Sequence, residues 1–361
     1  MKILLAITTG RSNFKDTLDL LVKNFSAYGH FENNCVGVAV NYDCYFLNLK
    51  DEDFVYNTKL SKKFFEKIYI GQKHVSKYIE LMKKRGVDEG IAIILSQSTG
   101  YSNKKNLVYL EAYKRGYDIV LFWDDDEYPY VCMIDGENIS WMQTDILGAH
   151  LLAYKKYSAD VAFGFFTGYA SPIPSVLNFR LTKKTAIGLG DALSVASDVV
   201  NKDTFVDINK IFVGLKCENL DIKEIEMVDG GKWVSGGNIS VSVRSVMNGI
   251  VPPFYTPSST RADDTILSMG LERARVMQIP AGIFHDAFGE YDGIKTGIFP
   301  IKIERRKKNN YQVQRFCSAL KGWLGYAPIF LRIKSQGLFR VNVKKMLKKI
   351  LIIDDALSCE L

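Results

Sequence analysis

The run Tyr117-Asp118-Ile119-Val120-Leu121-Phe122 reads as a buried strand, and it breaks directly into Trp123-Asp124-Asp125-Asp126-Glu127-Tyr128. No other feature constrains this chain as strongly. Two like charges about 4 Å apart repel by ~1 kcal/mol in water and ~4 kcal/mol at an effective dielectric of 20. A carboxylate cluster at the end of an apolar strand therefore calls for a positive partner, and a hard divalent cation takes oxygen ligands. Strand ends in open α/β sheets are also where ligands bind. The pattern points to a site where a metal bridges carboxylates and a substrate phosphate. The alternative is a solvated acidic turn.

The segments around this strand alternate. Lys2–Thr8 reads as a strand, Asp16–Phe25 as a helix and Cys35–Asn41 as a second strand. Residues 61–85 carry apolar positions at helical spacing (Phe64, Phe65, Ile68, Val75, Ile79, Leu81, Met82), with Gly86 as the stop. Ile91–Leu95 reads as a third strand and Asn103–Arg115 as a helix. Beyond the acidic cluster, helices are expected over Ile146–Tyr157 and Asp263–Arg275, one or two helices over Thr182–Val200, and strands over Asp160–Phe166 and Val276–Pro280. Such alternation predicts an α/β fold with a mainly parallel sheet flanked by helices.

Charge is unevenly distributed. The chain of 361 residues carries +7, yet the stretch 302–349 holds fourteen Lys/Arg against Glu304 alone, and residues 350–361 carry −3. Residues 1–301 are thus left with −3. No apolar stretch reaches the ~20 residues of a membrane-spanning helix. Met1–Ile7 runs straight into the turn Thr8-Thr9-Gly10-Arg11, so it is expected to be the first strand and not a signal peptide. Six cysteines (Cys35, Cys44, Cys132, Cys217, Cys317, Cys359) show no paired spacing, which suits free thiols in a reducing cytosol.

Four further motifs follow in order: Tyr101-Ser102-Asn103-Lys104-Lys105-Asn106, Trp233-Val234-Ser235-Gly236-Gly237-Asn238, Arg261-Ala262-Asp263-Asp264 and Ile283-Phe284-His285-Asp286. With the acidic strand end, this order resembles the GT-A (Rossmann-like) glycosyltransferases, most closely the inverting family 2, from Met1 to about Asp292. Asn41-Tyr42-Asp43, Lys105-Asn106 and Asp263-Asp264 depart from the commoner family residues. The Asp-Asp pair with a later histidine also bears a weaker likeness to bacterial galactofuranosyltransferases.

The resemblance implies roles. Asp124 and Asp126 would hold Mn2+ or Mg2+, with Asp126 the direct ligand, His285 a third ligand and Asp124 near ribose or metal. Asp125 would contact the donor or point into the turn. Asp264 would be the base that takes the acceptor proton, with Asp263 as the second candidate; either residue also suits an N-cap. Thr8, Thr9, Gly10, Arg11 and Asp43 would meet the nucleotide base and ribose. Lys105 and Asn106 would reach the donor or lie on a solvated helix face. Trp233, Ser235, Gly236, Gly237 and Asn238 would line the sugar and acceptor side. His74 and His150 fall in helical patterns and are read as structural.

Residues 1–301 are expected to form the catalytic domain, with a nucleotide half to about 130 and an acceptor half beyond. Residues 302–361 form a basic helical extension. Its Arg305-Arg306-Lys307-Lys308 and interleaved Phe316, Trp323, Tyr326, Phe330 and Phe339 suit an anionic membrane surface over 302–350, or else a helical cap packed on the domain. No nucleic-acid motif accompanies them. The implied activity is metal-dependent, inverting transfer from a nucleotide-diphosphate sugar (UDP favoured) to a glycan or lipid-linked acceptor. It would take place in the cytoplasm at the inner membrane face, in surface polysaccharide synthesis. A sugar nucleotidyltransferase or a non-catalytic glycan-binding scaffold are the rivals; the single glycine in Thr8–Asn13 disfavours the first.

Overall fold

Lys2–Thr9 (β1) is buried on both faces, with Ile3 to Ile7 no more than 1% exposed, as expected of a central strand in a parallel sheet. The computed structural model describes residues 1–96, 103–136, 138–169, 183–194, 202–204, 206, 212–215, 221–257, 260–302, 310–334 and 337–358. Helices Phe14–Ala27 (α1) and His30–Asn33 (α2) lead to Cys35–Tyr42 (β2), which pairs in parallel with β1.

Two expectations fail in the next stretch. The helix expected over 61–85 is a strand, Lys67–Ile70 (β3), followed by a helix, Gln72–Lys84 (α3). The break falls at Gly71, whose backbone lies so close to the Tyr42 ring that a Cβ would overlap it. Lys67-Ile68-Tyr69-Ile70 alternates in burial with period two, which coincidental helical spacing of Phe64, Phe65 and Ile68 had hidden. The strand expected at Ile91–Leu95 is a helix, Glu89–Ser96 (α4). Only Ala92 and Ser96, one turn apart, are buried, and the Asn103 and Asn106 side chains donate to the terminal carbonyls of Ile94 and Leu95 at 2.6 and 2.8 Å.

Lys105–Lys114 (α5) feeds Ile119–Asp124 (β4), which lies parallel to β1 on the side away from β2. The chain continues through Glu127–Tyr128 (β5), the hairpin Val131–Asp135 (β6) and Asn138–Met142 (β7), Ile146–Tyr157 (α6) and Val161–Tyr169 (β8). Within the expected helix 182–200, Lys183–Leu193 (α7) is helical; residues 195–200 lie outside the described residues. Short strands Phe212–Val213 (β9) and Lys223–Glu224 (β10) precede Ile239–Ser242 (β11) and Val243–Met247 (α8).

Asp263–Met269 (α9) is shorter than expected. Val276–His285 (β12) is longer, running on past Pro280 through a register irregularity between Gln278 and Gly282. Asn310–Lys334 (α10) and Phe339–Ser358 (α11) close the chain. Among the described residues, no helix is long and apolar enough to cross a membrane.

The main sheet runs β10-β12-β8-β11-β4-β1-β2-β3, with β5 and β9 paired at its side. Six of these strands are mutually parallel; β10 and β11 run against them. The mainly parallel α/β organisation expected from the alternation is present. The carboxyl ends of β1, β2, β4, β8 and β12 therefore share one edge. Because β11 is reversed, its leading segment Gly236-Gly237-Asn238 lies at that same edge.

Helices cover both faces, each over its own apolar cluster. A third cluster joins Tyr128, Phe284 and Tyr291 to one stripe of α10. That stripe, Phe316, Leu320, Trp323, Ala327 and Phe330, is spaced four and three residues alternately and is no more than 5% exposed.

Candidate active site

The turn after β4 is fixed from both sides. Trp123 Nε1 donates to the Glu127 carbonyl at 2.9 Å, and the Glu127 carboxylate accepts the Asp124 N–H at 3.3 Å. β5 then pairs with the end of β12, placing Glu127 opposite His285, and the Asp286 N–H reaches the Asp126 carbonyl at 2.9 Å. This register brings His285 to the acidic cluster.

Each carboxylate has its own partners. Asp125 turns inward: Thr9 Oγ1 donates to it at 2.6 Å, Arg11 Nη1 at 2.8 Å, and Thr17 Oγ1 donates to its carbonyl at 2.9 Å. The reading of Asp125 as pointing into the turn is thus the one its contacts follow. Asp126 faces Arg11 Nη1 at 3.3 Å, Arg315 of α10 at 3.6 Å and His285 Nε2 at 3.8 Å. Lys105 is buried, not on a solvated face; its Nζ donates to Asp263 at 2.8 Å and packs over the Phe254 ring.

Burial pushes the Asp124 carboxyl up to about 7, with Lys105 opposing and Asp126 reinforcing the shift. Burial likewise raises Asp125 to about 6 and Glu127 well above the usual range. Burial alone would raise Asp126, but His285, Arg11 and Arg315 reverse it and hold it at about 2. Burial also pushes the His285 imidazole down, against the opposing pull of Asp126 and of the Tyr169 carbonyl. For Lys105, burial works downward and Asp263 and Asp124 overcome it, keeping the ammonium charged.

Asp126 and His285 are the two side chains here that could contribute to a divalent-cation site. His285 Nδ1 lies 2.6 Å from the Tyr169 carbonyl. A carbonyl only accepts, so Nδ1 carries a proton and Nε2 is the ring nitrogen that faces Asp126. Among the described residues, no three His, Cys, Asp or Glu side chains converge on one point.

The Gly236-Gly237 pair permits close approach. A Cβ on Gly237 would sit inside the Glu127 carboxylate, and one on Gly236 would be 3.3 Å from Asp264 Oδ2. Asp264 Oδ1 accepts the Thr265 N–H at 2.9 Å, while Asp263 is held by Lys105. The chain enters α9 through Ala262 at φ 80°, a left-handed conformation costly for a residue with a Cβ.

Asn238 does not face the edge: it is fully buried, donating to the Ala281 carbonyl at 2.9 Å and meeting His150 Nε2 at 3.0 Å. Asn106 is likewise consumed, bonded to the backbone of Leu95 and Phe254. Trp233 Nε1 donates to the Val228 carbonyl and its ring approaches Phe330; Ser235 Oγ donates to the Gly237 carbonyl. His74 Nδ1 accepts the Gly71 N–H, and His150 joins Ser240 to Asn238, so both occupy structural positions.

At the β1 end, Thr8 pairs with Asn41 and Asp124, and its buried hydroxyl has no hydrogen-bond partner among the described residues. Gly10 lies under the Phe46 ring, and the Asp43 N–H reaches the Thr9 carbonyl at 3.0 Å. Tyr101 and Ser102 of the second motif lie outside the described residues. A pocket of about 210 Å³ opens beside the cluster, lined among others by Arg11, Asp125, Asp126, Lys295 and Tyr311.

Sequence reasoning missed Arg315, which arrives only with α10. It also missed the buried triad Tyr169, Glu290 and Gln312, in which the Tyr169 hydroxyl and the Gln312 amide donate to the Glu290 carboxylate. The alternating four-and-three stripe in α10 was the available signal.

No family model matches the chain, and no curated protein matches it. Among solved structures it is similar to residues 1–349 of S. aureus TarS in complex with UDP-GlcNAc (13% identity, TM-score 0.44, 99% of this chain and 72% of that one). The same protein in complex with UDP gives 13% identity and TM-score 0.43 over 99% and 92%. A longer S. aureus TarS structure gives 14% and 0.42 over 89% of this chain and 43% of that one. At these scores the likeness adds no weight to a functional reading.

Proposed function

We propose that this chain is a metal-dependent glycosyltransferase, moving a sugar with inversion from a nucleotide-diphosphate donor, a UDP-sugar foremost, to a glycan or lipid-linked acceptor. Its setting is surface polysaccharide synthesis on the cytoplasmic side of a membrane. The observation that carries the reading is the surroundings of Asp126: the His285 imidazole and two guanidiniums, gathered at the carboxyl edge of a mainly parallel sheet.

The nucleoside lies over the ends of β1 and β2, near Thr8, Thr9, Gly10 and Asp43. Arg11 and Arg315 meet the diphosphate as its charge grows. Asp126 and His285, with Asp124 nearby, would hold a divalent cation, Mn2+ or Mg2+, which would supply Lewis-acid stabilisation of that leaving group. Asp264 takes the proton of the acceptor hydroxyl as its oxygen bonds to the sugar carbon and the carbon–diphosphate bond breaks on the opposite face. Asp263 is less suited, because Lys105 neutralises it at 2.8 Å. Trp233, Ser235 and Gly236 line the acceptor side.

Calorimetric binding of UDP, GDP, CDP and TDP, each with manganese and with chelator, tests the donor site. Metal-dependent binding of one nucleotide is expected. Asp264→Asn should retain that binding while donor turnover, including slow transfer to water, falls on the order of 10²–10⁴-fold. Failure of every nucleotide in both conditions would remove the reading, and undiminished turnover would remove Asp264 as the base.

A further inference from the structure

The two closing helices differ in what they leave exposed. Phe316, Trp323, Tyr326 and Phe330 of α10 are covered by the body, so they are not available to a second surface. In α11, Met346 is buried, Phe339 and Val343 pack on the same cluster, and Lys349 Nζ pairs with Asp191 of α7 at 2.8 Å. These positions mark the inner side. Arg340, Val341, Lys344, Lys345, Leu347, Lys348 and Leu351 are exposed. At about 100° per residue they fall within an arc of roughly 160° on the opposite side.

That arc has an unusual composition. Val341, Leu347 and Leu351 are 49%, 55% and 65% exposed, and Leu338 just before the helix is 62% exposed. Four cations lie between them, and no acidic residue occurs from 337 to 351. A solvated helix face ordinarily mixes both signs and forms pairs one turn apart. Among the described residues, the ion pair of α11 is the inner Lys349–Asp191 contact. Four cations crowded on three turns, with no ion pair among the described residues, call for an anionic surface. Aliphatic side chains interleaved with them, and not segregated, suit a helix lying at the boundary of headgroups and acyl chains. Nucleic acid is the poorer match, since single strands are gripped by exposed aromatic platforms and this arc has none.

We propose that the outer face of α11 docks the protein on an anionic lipid bilayer, the cations meeting lipid phosphates and the aliphatics entering the interface. This surface is independent of the nucleotide site. The full chain is tested by flotation with vesicles of phosphatidylcholine alone, and with about one-third phosphatidylglycerol, at low and high salt. The intact protein should float only with the anionic vesicles, less so at high salt. Lys344→Glu/Lys345→Glu/Lys348→Glu should weaken binding at least about tenfold, and Leu347→Ser/Leu351→Ser should weaken it severalfold, both with unchanged melting temperature. No flotation of the intact protein at low salt, or undiminished binding by the lysine variant, would overturn the proposal. So would serine variants that bind vesicles fully while the intact chain binds a single-stranded oligonucleotide equally well. Vesicle binding without nucleotide binding would uphold this surface and sink the glycosyltransferase reading; the reverse would do the opposite.

Discussion

α10 and α11 come from one basic stretch and share a composition, yet the body treats them differently. α10 presents apolar residues at alternating four and three, and that stripe closes over Tyr128, Phe284 and Tyr291. Its first turns carry Gln312 to Glu290 and Arg315 to Asp126, and Arg261, next to the acidic pair, lies against Gly322 and over the Trp323 ring. α10 is thus a wall of the candidate site. α11 buries a narrower strip and keeps four of its five cations outward. The lesson is that spacing, not content, decides which amphipathic helix a domain absorbs.

The contrast can be broken or sharpened by measurement. Trp323→Ala should have the largest effect, about 3–5 kcal/mol in urea unfolding, because a fully packed indole is lost.

Acid should separate the helices from the body next, since all four histidines precede residue 302. Burial holds His150 down at about 4, against about 6.5 in an unfolded chain. The unfolded state therefore binds more protons between these values, and stability falls as pH drops through them, by about 3 kcal/mol in total. His150→Gln should flatten that part of the wild-type pH–stability curve; parallel curves would contradict it.

Gln312→Ala takes one donor from the buried Glu290 carboxylate and should cost about 1–3 kcal/mol, read by the same unfolding assay. If α10 walls the donor site, Arg315→Ala should weaken manganese-dependent nucleotide binding about tenfold, near 1.4 kcal/mol. Leu347→Ala on the outer face of α11 should stay within about 0.5 kcal/mol. A loss matching that of Trp323→Ala would erase the distinction between the helices.

Much of the fold could be read from residue patterns. β1, β2 and β4 are apolar runs bounded by turns, and α6 was placed at its observed limits. Errors arose where patterns are degenerate. Ile91–Leu95 is apolar throughout, so period two and period 3.6 both accommodate it. Pro280 stops a strand in pattern only; β12 bends past it through an irregular pairing. The basic segment Arg305–Lys308, Cys217 and Cys359 lie outside the described residues, while Cys35, Cys44, Cys132 and Cys317 are free thiols.

The candidate site divides in the same way. Sequence by itself determined that carboxylates crowd the end of a buried strand, that glycines, an acidic pair and a histidine follow in order, and that the tail is basic and amphipathic. Tertiary structure alone decided which carboxylate meets which partner. Asp125 goes to Thr9 and Arg11, Asp126 to His285 and Arg315, and Asp263 to Lys105. The physical reason is that adjacent aspartates are chemically identical. Only the turn's alternating directions, and cations delivered by distant strands and helices, make them different.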